Sequence, residues 1–190
     1  VHEIGFLPSW TQTPPNNAQP YMVCSKLQGE ELYKYKPNNT IVDIGVLLGL
    51  FTTMKSFYMI CSSHSDLHPH NIFVDTSTIP PAVRLLDFDM ASSPHLTQHS
   101  IEDPHPSKRN FRLATVLYTH GKGILQRMPS YIKQDSDSFQ LYSILEWFAS
   151  TNKNIHPLLD TINHLHSREE FINESIRYLT GKYHAKRFVF

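Results

Sequence analysis

The chain has 190 residues, 40% of them hydrophobic, with 17 Lys plus Arg balanced by 17 Asp plus Glu. That length and apolar content suit a globular unit with a real core and exclude a disordered chain, while a formal net charge of +0 gives no electrostatic case for a nucleic-acid partner. No 18-residue run reads as a membrane span, because the best candidate, 41–60, carries Asp43 and Lys55, and VHEIGFLPSW at the start lacks the basic-then-apolar order of a signal peptide.

The first residues open with a short apolar run, and TQTPPNNAQP over 11–20 predicts a loop from its Pro and Asn content. Tyr21, Met22, Val23 and Cys24 form a β-rich run, followed by SKLQGEEL over 25–32; by themselves these read as a strand, a turn and an exposed acidic pair. A helix is predicted over 40–57, capped by Asn39 or Thr40, with Asp43 in its first turn complementing the helix dipole. Ile41, Ile44, Leu47, Leu48, Phe51, Met54 and Lys55 give it a mostly apolar face, and Gly45 and Gly49 predict close packing against a neighbour. Residues 57–61 predict a link and a small strand. Cys24 and Cys61 are too few for a disulfide framework, and both stand in apolar surroundings. They read as reduced core thiols of a cytoplasmic protein.

The chemistry concentrates in HSDLHPHNIFVDTSTIPPAVRLLDFD, residues 64–89. Asp66, Asn71, Asp87 and Asp89 bear oxygens able to hold a divalent metal and to activate a hydroxyl. IFV at 72–74 and VRLL at 83–86 predict short strands separated by a polar, Pro-containing loop. Paired as a hairpin, they bring Asn71 and Asp87 to the same end, a mouth of oxygen ligands suited to Mg²⁺.

Residues 64–71 match H-x-D-L-x-x-x-N, and Asp87-Phe88-Asp89 matches D-F-G with the last residue changed. In this order around an apolar hairpin, the two motifs resemble the catalytic core of the protein-kinase-like superfamily. Leu67-His68-Pro69 resembles its small-molecule and atypical branches, such as the aminoglycoside and choline phosphotransferases. The resemblance covers about 21–148 and implies an α+β, mainly helical fold. An N-lobe remnant and hinge would span 1–32, and a kinase-like C-lobe with a short catalytic β-hairpin would span 33–190. It implies ATP and Mg²⁺ as cofactors, Asp66 as catalytic base, and Asn71 and Asp87 as the residues holding Mg²⁺ against the phosphates. His68 stands where protein kinases place a phosphate-contacting lysine, and His64 would be structural. At the hinge, the backbone of Ser25 and Leu27 would contact adenine, Glu31 the ribose, and Cys24 would guard the back pocket. Asp89 in place of Gly is either a further metal contact or a turn cap, and it removes glycine's access to positive φ.

A rival reading starts from the alternation of His64, Asp66, His68 and His70, which on a strand would share one face and could serve a metal-dependent hydrolase. Pro69 argues against a regular strand, and this reading leaves Asn71 and the 87–89 turn unexplained. A third reading has all these residues capping turns.

Further on, 92–110 predicts an exposed loop, 111–118 a short β-like or helical run, and Gly121-Lys122-Gly123 a turn. No Ala-Pro-Glu closes this segment, so docking of a peptide substrate is unsupported. A capped helix with apolar periodicity starts at 135. The resemblance makes Asp137, with Asp135 second, the aspartate that bonds the backbone of the catalytic loop; a plain N-cap selects the same residues. Two amphipathic helices are predicted over 155–166 and 168–179, with Ser167 and Glu170 as a capping box between them. His156, His164 and His166 are expected at the surface or at helix ends, and 182–190 as a packed or frayed end.

The 20 residues before the first hinge strand hold no glycine-rich loop, no strand lysine and no helix with its partner glutamate, the parts that cover the nucleotide. Three accounts follow: the C-terminal part of a longer kinase, a lobe supplied by a partner, or a degenerate relative. The first is favoured because the chain begins with Val and keeps Asp66, Asn71 and Asp87. The expected function is ATP-dependent phosphoryl transfer to a hydroxyl on an acceptor left open between a small molecule and a protein. The alternative is a pseudokinase-type binding module.

Overall fold

The computed structural model describes residues 3–7, 19–23, 25–38, 40–88, 90–92 and 128–187. Outside them lie Asp89, Cys24, the candidate cap Asn39, all but the first residue of the 92–110 loop, the 111–118 run, the 121–123 turn and the final 188–190. Mixed α and β structure, mostly helical, fills the described chain.

β1 (Glu3–Leu7) pairs antiparallel with β2 (Gln19–Val23). β2 starts two residues inside the stretch expected as loop, with Gln19 and Pro20 in the ladder opposite Leu7 and Phe6. Every strand of a two-stranded ribbon is an edge, where a proline is tolerated. A separate antiparallel sheet places β4 (Ile72–Asp75) between β3 (Glu30–Glu31) and β5 (Ala82–Leu85). The chain enters β3 through Gly29 at φ +105, where a Cβ would stand 2.1 Å from the Val74 carbonyl oxygen; only glycine allows that approach.

The helices are α1 (Ile41–Tyr58), α2 (Ser130–Gln134), α3 (Ser136–Ala149), α4 (His156–Ile162) and α5 (Arg168–Arg187), with 3₁₀ turns over Leu32–Lys34 and Lys153–Ile155. α1 packs on both α5 and β5, so its covered surface is wider than one stripe. Ile44, Leu47, Phe51 and Met54 are buried as expected, and Val46 and Leu50 join them, whereas Lys55 is exposed. Each fully buried Leu or Phe here stabilises by roughly 1.5–3 kcal/mol. Phe51 meets Phe171 of α5 edge-on at 5.3 Å. Gly45 and Gly49 make the predicted close approach: a Cβ would come within 2.7 Å of Pro81 at the first and 2.8 Å of Val83 at the second. By length and composition α1 is the one described helix able to cross a membrane, with mean hydropathy 1.4, against the expectation that no such run exists. Its buried Asp43 accepts hydrogen bonds from the Tyr35 hydroxyl (2.8 Å) and from the N–H groups of Asn38 (3.2 Å) and Thr40 (3.1 Å). Thr40 is therefore the cap, and Asp43 anchors the entry loop as well as complementing the dipole.

Three boundaries differ from expectation, as do the burial of Cys61 and one capping bond. The small strand at 57–61 is absent: α1 runs through Tyr58 and ends in a turn, and Ser63 makes an isolated bridge to Ser92. Cys61 is partly exposed and is not a core thiol. The helix expected over 155–166 runs only over α4, because Pro157 belongs in a first turn and the chain leaves the helix at Asn163. α5 continues past 179 to Arg187, through Gly181, a single glycine whose cost of about 1 kcal/mol a helix of this length absorbs. Ser167 Oγ accepts from Glu170 N–H (3.1 Å), and the Glu170 carboxylate reaches back to the N–H of His166 (2.9 Å), one residue before the one expected.

Candidate functional site

The hairpin register Ile72–Leu85 puts Asn71 and Leu86 just beyond the ladder, and Leu86 N–H donates to the Asn71 carbonyl at 2.8 Å. Asp87 follows directly, so Asn71 and Asp87 do lie at the same end. Asn71 is nearly buried; its Nδ2 donates to the Asp66 carbonyl at 3.0 Å and its N–H to the His68 carbonyl at 2.9 Å. With Nδ2 so used, Oδ1 is the end of the amide left to face a cation. Asp66, Asn71 and Asp87 are thus brought together. Two non-glycine residues here adopt left-handed backbone, Ser65 at φ 62 and Asp87 at φ 59. Each costs on the order of 1 kcal/mol, and such strain concentrates at functional loops.

What holds Ser65 in that conformation is α3. The Asp137 carboxylate, fully buried in the first turn, accepts from His64 N–H (2.7 Å), Ser65 N–H (3.0 Å), the Tyr58 hydroxyl (3.0 Å) and Ser63 Oγ (3.3 Å). Asp135 is the cap, accepting from Ser138 N–H at 3.3 Å, so the two candidate aspartates divide the roles. Burial, and then the Asp137 and Asp135 charges, push the Tyr58 phenol far above its ordinary pKa. The Arg168 guanidinium of α5 lies over the Tyr58 ring at 4.1 Å and 3.6 Å from Asp135. Sequence reasoning missed Tyr58, which reads as one more apolar residue at a helix end.

His64 is buried. Its Nε2 donates to the Leu86 carbonyl at 3.0 Å, tying the 64–71 loop to the segment that carries Asp87, and its Nδ1 has no partner among the described residues. Its ring lies 5.3 Å from Phe88 and 5.7 Å from Phe57, and Phe88 is half exposed.

Nε2 of His68 is 3.6 Å from Asp66 Oδ1. Desolvation first, then the neighbouring His70 and His64 rings, hold the His68 pKa below the ordinary imidazole value, against the opposing pull of Asp87. His68 is therefore neutral at physiological pH and offers at most one N–H. Because the folded protein binds this proton less readily than the unfolded chain, the associated stability is fully present above about pH 6.5 and is lost as pH falls through the lowered folded value. We expect the urea midpoint to drop between pH 7.5 and pH 5, and His68→Gln to flatten part of that drop; an unchanged slope in the variant would refute the assignment.

At the expected hinge, Ser25 is exposed and Leu27 partly buried in the irregular stretch before β3. Glu31 sits on β3 beside the loop: Oε2 lies 3.1 Å from His70 Nδ1, and Oε1 accepts from Lys34 Nζ at 3.3 Å. These two bonds, His70 first, hold the Glu31 carboxyl below its usual pKa. The His70 ring stacks on Tyr33 at 4.0 Å, and Tyr33 N–H donates to the Pro69 carbonyl at 3.2 Å. Tyr33 also escaped notice in the sequence, where nothing links it to a loop 37 positions away.

Of the four residues of the hydrolase reading, Asp66, His68 and His70 adjoin in sequence order, while His64 faces away from them. His64 turns to Leu86, His68 to Asp66 and His70 to Glu31. Among the described residues no three His, Cys, Asp or Glu side chains group as metal ligands. His156 Nε2 lies 2.9 Å from the Ala149 carbonyl oxygen; His164 and His166 stand in the turn after α4, both exposed. Comparison with protein-family models, curated proteins and solved structures finds no match to this chain.

Proposed function

We propose that the protein is a kinase-like C-lobe whose 64–89 segment binds Mg-ATP and transfers its γ-phosphoryl group to a hydroxyl. The observation that carries this reading is the meeting of Asp66, Asn71 and Asp87 at one end of a hairpin, on a loop clamped by Asp137. The donor set fits magnesium, with one amide oxygen and one carboxylate, both hard ligands, to which phosphate and water would add the rest of the shell. When bound, the ion would neutralise phosphate charge and hold the triphosphate in line. Asp66 accepts the proton of the acceptor hydroxyl as the new O–P bond forms and the bond to the leaving ADP oxygen breaks, the electron pair departing with ADP. Asn71 sets the Asp66 backbone through its amide, and His64 fixes the spacing between the two motif segments.

A second reading, nucleotide binding without turnover, draws on His68, whose neutral ring cannot supply the charge of a phosphate-contacting lysine. Calorimetric titration tests the shared core of both. Mg-ATP should bind at least about tenfold more tightly than ATP in excess EDTA, a difference of roughly 1.4 kcal/mol. Equal affinities, or no binding in either case, would remove the proposal. Asp66→Asn then separates the two readings, because it abolishes transfer while leaving Mg-ATP affinity intact.

A further inference from the structure

Resting on that reading, the geometry points to an acceptor that carries its hydroxyl on or beside an uncharged aromatic ring, received by the row Tyr33, His70, His68. The three rings form a continuous run to Asp66. Tyr33 stacks on His70 at 4.0 Å with planes 28° apart, His70 meets His68 at 5.8 Å, and His68 lies 3.6 Å from the Asp66 carboxylate. Exposure falls from the outer pair, Tyr33 and His70, inward to Asp66. Tyr33 is 48% exposed, and the side chains of His70, His68 and Asp66 are 58%, 27% and 13% exposed. The row descends from solvent to the proposed base.

Its position is fixed from both sides. The Tyr33 backbone is bonded to Pro69, and His70 N–H donates to His68 Nδ1 at 3.2 Å. A rigid stacked pair offers a planar partner a large contact at little entropic cost.

The charge around the row selects against cations. The nearest hinge-side carboxylate, Glu31, is already engaged by His70 and Lys34. The Lys34 ammonium also sits 5.4 Å from the centre of the Tyr33 ring, where a cationic acceptor would have to lie. A quaternary ammonium or polyamine acceptor therefore meets the Lys34 ammonium at the Tyr33 ring and finds Glu31 already engaged, while an uncharged ring meets no such repulsion at the Tyr33–His70 pair.

Titration of the full chain followed by NMR tests this, with N-acetyl-tyrosinamide, N-acetyl-serinamide and choline as probes and Mg-ATP in a separate arm. The tyrosinamide should shift the ring protons of Tyr33, His70 and His68, and Tyr33→Leu should weaken that binding about fivefold. Tyr33→Phe should keep it, and choline and the serinamide should leave these signals in place. Larger shifts with choline or the serinamide, or a Tyr33→Leu variant that responds like the wild type, would overturn the inference. The Mg-ATP arm is read at the amides of Asn71 and Asp87. Silence there alone removes the phosphotransfer reading, and silence at the rings alone removes only the acceptor class.

Discussion

Asp137→Ala is expected to lower stability by about 3–5 kcal/mol, the cost of leaving two or three buried donors unpaired at roughly 1–3 kcal/mol each. The carboxylate gathers four donors from a single chain segment, and the N–H of His64 is buried with it. No water can replace Asp137 without a cavity large enough to admit it. Asp137→Asn should lose about half as much, since one oxygen remains and the other becomes an NH₂ that faces donors. Asp135→Ala, two positions earlier and serving as the cap, should cost only about 1 kcal/mol. Urea denaturation followed by circular dichroism gives all three midpoints. The contrast between neighbouring aspartates is the informative quantity, because a loss under about 1 kcal/mol at Asp137, or equal losses at both positions, would show that the clamp contributes little.

Both aspartates stood out in the sequence as helix-start residues, and only three-dimensional contact separates the cap from the clamp. The hairpin was legible from its two apolar runs, yet three of its four boundaries moved by one. The backbone ladder extends into the polar Asp75 and the small Ala82, which give little strand signal, and it releases Leu86, which gives more. α1 was legible because a wide buried surface forces many apolar residues into one segment, whereas the role of Asp43 was read only in part: its buried bond to Tyr35 spans eight positions. The ends of α4 and α5 were misjudged because Pro157 and Gly181 take their meaning from position in the helix. The ring row was not legible at all. It is an encounter between a 3₁₀ turn and a loop, made by β3 pairing with β4, and two residues of strand leave almost no periodicity to read.

Asp87→Gly is expected to leave the fold within about 1 kcal/mol of the parent and to abolish its thermal response to Mg-ATP. The two halves have separate causes. At φ 59 the parent aspartate holds a left-handed backbone that glycine adopts freely, and that relief offsets the extra entropy glycine carries in the unfolded chain. The side chain is exposed, so its removal opens no cavity. Binding is a different matter, because the variant removes the carboxylate that follows Leu86 directly, at the same end of the hairpin as Asn71. A ligand at a hundred times its Kd stabilises the folded state by roughly 2.7 kcal/mol, a shift that differential scanning fluorimetry resolves easily. Asn71 cannot serve this purpose as cleanly, since its amide also supports the Asp66 backbone and its loss would mix folding with binding. An Asp87→Gly protein that folds normally and still responds fully to Mg-ATP would therefore displace the metal from the hairpin mouth, whereas a silent but stable variant would tie nucleotide binding to this carboxylate and not to the scaffold beneath it.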